Sequence, residues 1–340
     1  DPDGRIVDVV QSKYAEPYFS KEPGWAEQKP NFYFDRLCEC CRELCARSNA
    51  LLPDVIAMTI TVIRDTVVCL DANNEPLRDI ILWLDKRTVD PNGAMPAKNM
   101  MLFKVAGMEP TAKVVYAASV GNWIMRHEPE IWARTAKYVM LPTYLNYKLT
   151  GNLIDSASNQ IGHIPFDYKN RRWMKPGSLT RCFCDVPNEK LCDLVPSGTV
   201  IGTVTDEVCA LTGIPAGLPL ISTGSDKGCE TLGLAVVDSD KASISLGTTA
   251  TIQFSTTEYV EPQQFLLDAA TGPAVAGAPE ALLDERIRDL PAGSDGLLLQ
   301  PYWTAGILHP DSLGAVIGFS DYHTRYHFYR AIIEGLCLEL

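Results

Sequence analysis

Along the whole chain, short apolar runs of strand length alternate with longer amphipathic stretches of helix length, and this switching of period is the tightest constraint on the fold. Strands and helices that each bury one face must stack in layers, so the pattern predicts an α/β architecture. RIVDVVQSKY (5–14) reads as a β-rich opening run. PNFYFDRLCECCRELCARS (30–48) reads as a helix with Phe34, Leu37, Cys38, Cys41, Leu44 and Cys45 on one face. DVIAMTITVI (54–63) has a buried-strand pattern, and TVVCLD, DANNEP and DIILWLD (66–85) predict strand, hairpin turn and strand. From Pro110 to Gly151 the pattern is helical, with Gly151 as the C-terminal stop. LPLISTG (218–224) is an apolar strand before a helix-like CETLGLAVV, and ASISLGTTATIQF (242–254) predicts strand, tight turn, strand. From Glu258 to Pro291 the pattern weakens into an Ala/Pro/Gly-rich stretch that reads as a linker or a shortened region. DGLLLQPYW (295–303) is a further strand, and an amphipathic helix follows over 322–340.

At 340 residues the chain has the length of about two domains and needs no disulfide or metal staple. Forty-two acidic against thirty basic residues give a net charge of −12, which repels phosphate backbones and anionic lipid. Nucleic acid and membrane surface are therefore excluded as main partners, and an anionic substrate would need a local basic pocket. No run approaches the roughly 20 apolar residues of a bilayer span, and the opening DPDGRIVDVV has no signal-peptide pattern. Eleven cysteines without a secretion signal read as reduced thiols of a cytoplasmic protein. Cys38, Cys40, Cys41 and Cys45 could suggest zinc, but helical spacing explains them as a core stripe.

Two glycine-bearing turns could meet a phosphate, which needs close backbone approach. In STGSDKGCETLG, Asp226 follows a strand through a Gly-Ser bend and opens a helix; a carboxylate there could accept a hydroxyl proton. Its other reading is a helix N-cap. In SLGTTAT, Gly247 and Thr248 occupy a tight strand-to-strand turn, whose other reading is an ordinary hairpin. P-loop, dinucleotide-fold, nucleophile-elbow and H-E-x-x-H motifs are all missing, and His323/His327 read as packing rather than metal ligands.

The order of the motifs says more than each alone. PGWAEQKP (23–30), IRDTVVCLD (63–71), ILWLDKR (81–87), YVMLPTYLNYKLTG (138–151), GSDKGCETLG, SLGTTAT and FYRAIIEGL (328–336) together resemble the FGGY carbohydrate kinases, which include glycerol kinases and xylulokinases. The resemblance implies a two-domain actin-like ATPase, or ribonuclease H-like, fold, with a sugar-binding domain over 1–237 and a partial nucleotide domain over 238–340. It implies transfer of the γ-phosphoryl group of ATP, with Mg²⁺, to a hydroxyl of a small sugar or polyol: a ketopentose such as xylulose, or a glycerol-like acceptor. It assigns Asp226 as catalytic base, and Arg64 and Asp65 as a pair gripping substrate hydroxyls, a task suited to a forked guanidinium beside a carboxylate. Trp83, Asp85 and Arg87 are candidates for the same pocket, and Gly247, Thr248 and Gly306 for nucleotide contacts; no direct protein ligand to the metal is assigned.

The sequence departs from the family in lacking its first phosphate-loop hairpin and its C-terminal adenosine-binding part, and Ile63 stands where many relatives have glutamine. The C-terminal domain is thus expected to be incomplete, and the chain to be either a fragment or a form without kinase activity. The competing reading is a non-catalytic sugar-binding or regulatory remnant of such a kinase. The aromatic stripe Tyr322, Tyr326 and Tyr329 is expected to be a homodimer interface or the continuation of a core.

Overall fold

Val67, Val68, Cys69 and Leu70 are all buried, and they alternate between two cores because successive side chains of a strand point to opposite faces. A computed structural model describes residues 1, 3–238, 241–246, 250–256, 259, 287–288, 290–302 and 314–338 of the chain. They divide into two compact units, residues 1–230 and those from 231 onward.

The first unit runs β1 (Glu27–Gln28), α1 (Phe32–Arg47), β2 (Met58–Thr59), β3 (Val67–Leu70), β4 (Ile80–Ile81), α2 (Ala97–Val105), α3 (Glu109–Ala118), α4 (Val120–His127), α5 (Pro129–Arg134), β5 (Lys137–Met140), α6 (Leu141–Thr150), β6 (Ile154–Ser156), β7 (Phe166–Asp167), β8 (Arg172–Trp173), β9 (Asp193–Val195), β10 (Val200–Thr203), α7 (Asp206–Thr212) and β11 (Pro219–Ile221), with α8 (Asp226–Gly233) next. The main sheet has the order β1-β4-β3-β5, all antiparallel. On one face Val68, Leu70, Val139 and Leu141 pack with Phe34, Cys38 and Cys45 of α1 and with Tyr144, Leu145 and Leu149 of α6. On the other, Val67, Cys69, Tyr138 and Met140 pack with Trp123 and Ile124 of α4 and with Phe166 and Cys184. A second sheet has the order β10-β11-β2, and its β11-β2 pair is parallel.

In the second unit β12 (Ala242–Leu246) pairs antiparallel with β13 (Ala250–Phe254), and β14 (Leu298–Gln300) with β15 (Ala315–Ile317). Leu297 and Leu299 pack on Ala331 of the helix Arg325–Leu338. Glycine is required at 335, because a Cβ there would overlap the Leu299 carbonyl oxygen.

The cysteine helix, the 66–85 hairpin and the left-handed stop at Gly151 (φ 80°) form where the pattern places them. Three segments differ. Residues 5–14 form no strand, and Ile6, Val7 and Val9 are exposed, since a lone β-prone run gains nothing without a partner. The run 54–63 contributes only the two residues of β2. Tyr138–Met140, read as helix, belong to β5, whose pairing with β3 overrides local propensity.

Candidate active site

The parallel pairing of β2 with β11, Leu220 opposite Met58 and Ile221 opposite Thr59, sends both strands out of the sheet on the same side. The segments leaving the two strands therefore meet beyond the carboxyl ends, where open α/β sheets place their ligand crevices. Thr61 Oγ1 donates to the Gly224 carbonyl at 3.2 Å, Thr223 Oγ1 donates to the Ile60 carbonyl, and the Asp226 N–H donates to the Val62 carbonyl at 3.3 Å. These ties set Arg64 against Asp226, with Nε 3.6 Å from Oδ1. That separation gives charge attraction but exceeds hydrogen-bond length. The Arg64 side chain is 10% exposed and that of Asp226 40%, so the carboxylate is the open member of the pair. The N-cap reading of Asp226 does not describe it: Ser225 caps α8, its Oγ accepting from the Gly228 N–H at 3.4 Å and its carbonyl from the Cys229 N–H at 2.9 Å. Asp226 is the first helical residue, and its Oδ1 accepts from the Lys227 N–H at 2.8 Å. The positive end of the helix dipole favours a carboxylate there.

Asp65, next to Arg64, adopts a left-handed backbone (φ 49°). Its Oδ1 accepts from the His163 N–H at 2.8 Å and its Oδ2 lies 2.6 Å from His163 Nδ1. Burial works against charge on both groups, but their mutual attraction and hydrogen bonds outweigh it. The Asp65 carboxyl is held below its usual range and the His163 imidazole above its own. The Asp65 N–H donates to the Ile161 carbonyl, and the Ser225 N–H to the Ser158 carbonyl, each at 3.3 Å. The segment 156–163 thus touches both sides of the Arg64–Asp226 pair.

Asp155 at the root of that segment is buried and accepts five hydrogen bonds: from Thr143 Oγ1 (2.8 Å) and Gln160 Nε2 (3.1 Å) on Oδ2, and from Asn146 Nδ2 (3.2 Å), the Ser156 N–H (2.7 Å) and Asn159 Nδ2 (2.8 Å) on Oδ1. Burial pushes its pKa upward against the pull of those bonds. Neither His163 nor Asp155 is singled out by the sequence pattern. No spacing signal exists for a contact between residues 98 positions apart.

Trp83 stays beside Arg64 through Thr66, whose hydroxyl accepts from the Trp83 N–H (3.3 Å) and donates to the Arg64 carbonyl (3.2 Å). Asp85 and Arg87 sit in a cluster of their own, with side chains 1% exposed. Asp85 accepts from Arg87 Nε (2.7 Å) and Nη2 (2.8 Å) and from the Ala26 N–H (2.6 Å). Arg87 Nη2 also reaches Glu27 (3.1 Å), and its guanidinium lies 3.9 Å from the ring centre of Trp25 and 4.6 Å from that of Trp123. The structure thus brings Arg64, Asp65 and Asp226 together, ties the Trp83 main chain to that of Arg64 through Thr66, and packs Asp85 and Arg87 into the protein. Gly247, Thr248 and Gly306 lie outside the described residues. No group of three or more His, Cys, Asp or Glu gathers as a metal cage among the described residues.

The sequence profile of the N-terminal domain of the FGGY family of carbohydrate kinases matches residues 1–233. The chain belongs to the FGGY family. Xylulose kinase of Bacillus subtilis (strain 168) is 24% identical, over 99% of this chain and 72% of that protein. Among solved structures, ligand-bound xylulose kinase from Lactobacillus acidophilus superposes with a TM-score of 0.71 at 19% identity, covering 99% of this chain and 72% of that one. Plasmodium falciparum glycerol kinase with ADP superposes with a TM-score of 0.62 at 18% identity, covering 98% and 72%. This FGGY chain therefore has the fold class expected of it, α/β and of the actin-like, ribonuclease H-like type, with its C-terminal domain only partly spanned. Sugar kinases of this family draw their phosphoryl group from ATP. No helix among the described residues of this FGGY chain is long and apolar enough to cross a membrane.

Proposed function

We propose that this chain phosphorylates a hydroxyl of a small ketose or polyol, with Asp226 as general base and Arg64, Asp65 and Trp83 as the sugar-facing residues. The observation that carries the reading is the Arg64–Asp226 pair beyond the parallel strands, its carboxylate 40% exposed at the start of α8. Asp226 would take the proton of the attacking hydroxyl as its oxygen bonds to the γ-phosphorus and the bond from that phosphorus to the bridging oxygen breaks, with ADP leaving. Arg64 would hold a neighbouring hydroxyl oxygen with its guanidinium donors, and Asp65 would accept from hydroxyl protons. Positioning supplies much of the acceleration in such a site.

Gly247, Thr248 and Gly306 are proposed for the nucleotide, within a C-terminal domain beginning near residue 238. Mg-ATP, when bound, supplies the transferable phosphoryl group and spreads its developing charge. Mg²⁺ is commonly held by phosphate oxygens and water with one or two carboxylates. Xylulose is the first acceptor to test, since relatives over nearly all of this chain are named xylulose kinases.

The test is ADP release by the 340-residue chain with Mg-ATP against a panel of ketoses, aldoses and polyols. Turnover with one acceptor would fix the substrate, whereas silence across the panel would favour the fragment or non-catalytic reading. Asp226→Asn should lower kcat about 10²–10⁴-fold, the usual range for a general base, while calorimetry shows sugar binding retained. Unchanged turnover would remove Asp226 from the mechanism.

A further inference from the structure

We propose that His163 is a positioning residue for sugar recognition, fixing the direction in which Asp65 offers its carboxylate to hydroxyl groups. The inference rests on Asp65 binding substrate as proposed above. His163 holds both oxygens of that carboxylate: its main-chain N–H reaches Oδ1 at 2.8 Å and its ring Nδ1 lies 2.6 Å from Oδ2. A carboxylate gripped at both oxygens cannot rotate about its terminal torsion. Of its roughly four lone-pair sites, about one per oxygen is left, each with a set direction.

The backbone contributes to the same grip. Asp65 adopts the left-handed region, uncommon for a non-glycine residue although more accessible to Asp than to most. Gly162 (φ 135°) lets the chain pass close, since a Cβ there would overlap the Asp65 carboxylate. The Asp65 side chain keeps 19% of its exposure, so the clamp leaves it reachable.

The ring bond requires a proton on Nδ1, which the neutral Nδ1–H tautomer and the imidazolium both provide. The imidazolium adds a charge that offsets that of Asp65 beside the Arg64–Asp226 pair, and loss of that charge leaves the Asp65 carboxylate with its full negative charge at the sugar-facing side. Among the described residues, Tyr138 and Cys184 also respond to the Asp65 charge, both kept neutral because burial pushes their pKa upward, that of Cys184 to about 12, and the Tyr168 hydroxyl accepts from the Gly162 N–H at 3.4 Å beside the pair.

The experiment combines calorimetry with NMR on the 340-residue chain, using D-xylulose as the probe. His163→Ala keeps the main-chain bond and loses the ring bond, and the affinity is expected to fall about tenfold or more, the worth of a charge-assisted bond. His163→Asn places an amide N–H near the position of Nδ1 and should recover most of that loss. Wild-type affinity should change as pH rises through the His163 titration, whereas His163→Asn should show no such step. The His163 ring resonance should titrate above the ordinary imidazole value of about 6.5 in the wild type and fall back in Asp65→Asn. A wild-type chain that binds no sugar overturns the functional reading and this inference with it. Sugar binding by the wild type that His163→Ala leaves intact overturns this inference alone, as does a ring titrating at or below the ordinary value. Should the alanine variant fail to fold, the wild-type titration and His163→Asn decide the matter.

Discussion

Asp65 and His163 are each charged against the cost of burial, and their partnership ties stability to pH in both directions. Asp65 has its carboxyl pKa lowered in the folded chain, so its contribution is complete above the ordinary carboxylate value and is lost as pH falls through the lowered one. His163 has its pKa raised, so its contribution is complete below the ordinary imidazole value and is lost as pH rises through the raised one. Both are whole between about pH 4 and 6.5. Urea unfolding of wild type and Asp65→Asn at stepped pH should show the stability difference largest in that window and smaller on either side; a difference independent of pH would mean the pair is not ionised. Arg64 and Asp65 are picked out in the sequence only by the family resemblance, and Asp226 by that resemblance together with its place after an apolar run and a Gly-Ser bend. His163 is not, since its importance lies in a contact that only the folded chain creates. Asp85 and Arg87 look like site residues at a strand end, but they bond one another two positions apart and turn inward.

At the scale of elements, α6, β6 and the segment leading to His163 are joined by Asp155. Five donors converge on its two oxygens, so only an acceptor-only group fits. Asp155→Asn keeps shape and volume but aims an amide NH₂ at other donors, and is expected to cost about 2–3 kcal/mol. Equilibrium urea unfolding would measure it, and a neutral result would show that the network tolerates a donor. The loosened segment should also weaken sugar binding, since it carries His163. Elements fixed by their own periodicity, such as α1 with its buried Phe34, Cys38 and Cys45, are legible in the order of residues alone. Elements fixed by a partner are not. Tyr138, Val139 and Met140 become strand because β3 lies alongside, and the equally β-prone Ile6, Val7 and Val9 stay irregular because no strand does.

At the scale of the molecule, Arg64, Asp65, His163 and Asp226 all belong to the first compact unit, within the stretch matched by the family's N-terminal domain, whereas the nucleotide candidates all come later in the chain. A chain comprising residues 1–237, checked for folding by circular dichroism, should therefore bind D-xylulose by calorimetry but give no ATP-dependent turnover. Loss of sugar binding in that folded piece would place part of the sugar site beyond residue 237. The thiols carry a different consequence. Cys337 is exposed, while burial raises the pKa of Cys69 to about 11 and those of Cys184 and Cys192 to about 12. Such thiols stay inert until the packing around them parts. Cys69 and Cys184 lie on one face of the main sheet and Cys192 on the other. The pace at which a thiol-reactive dye stains each cysteine is therefore a clock built into the chain, keeping separate time for the opening of its two cores.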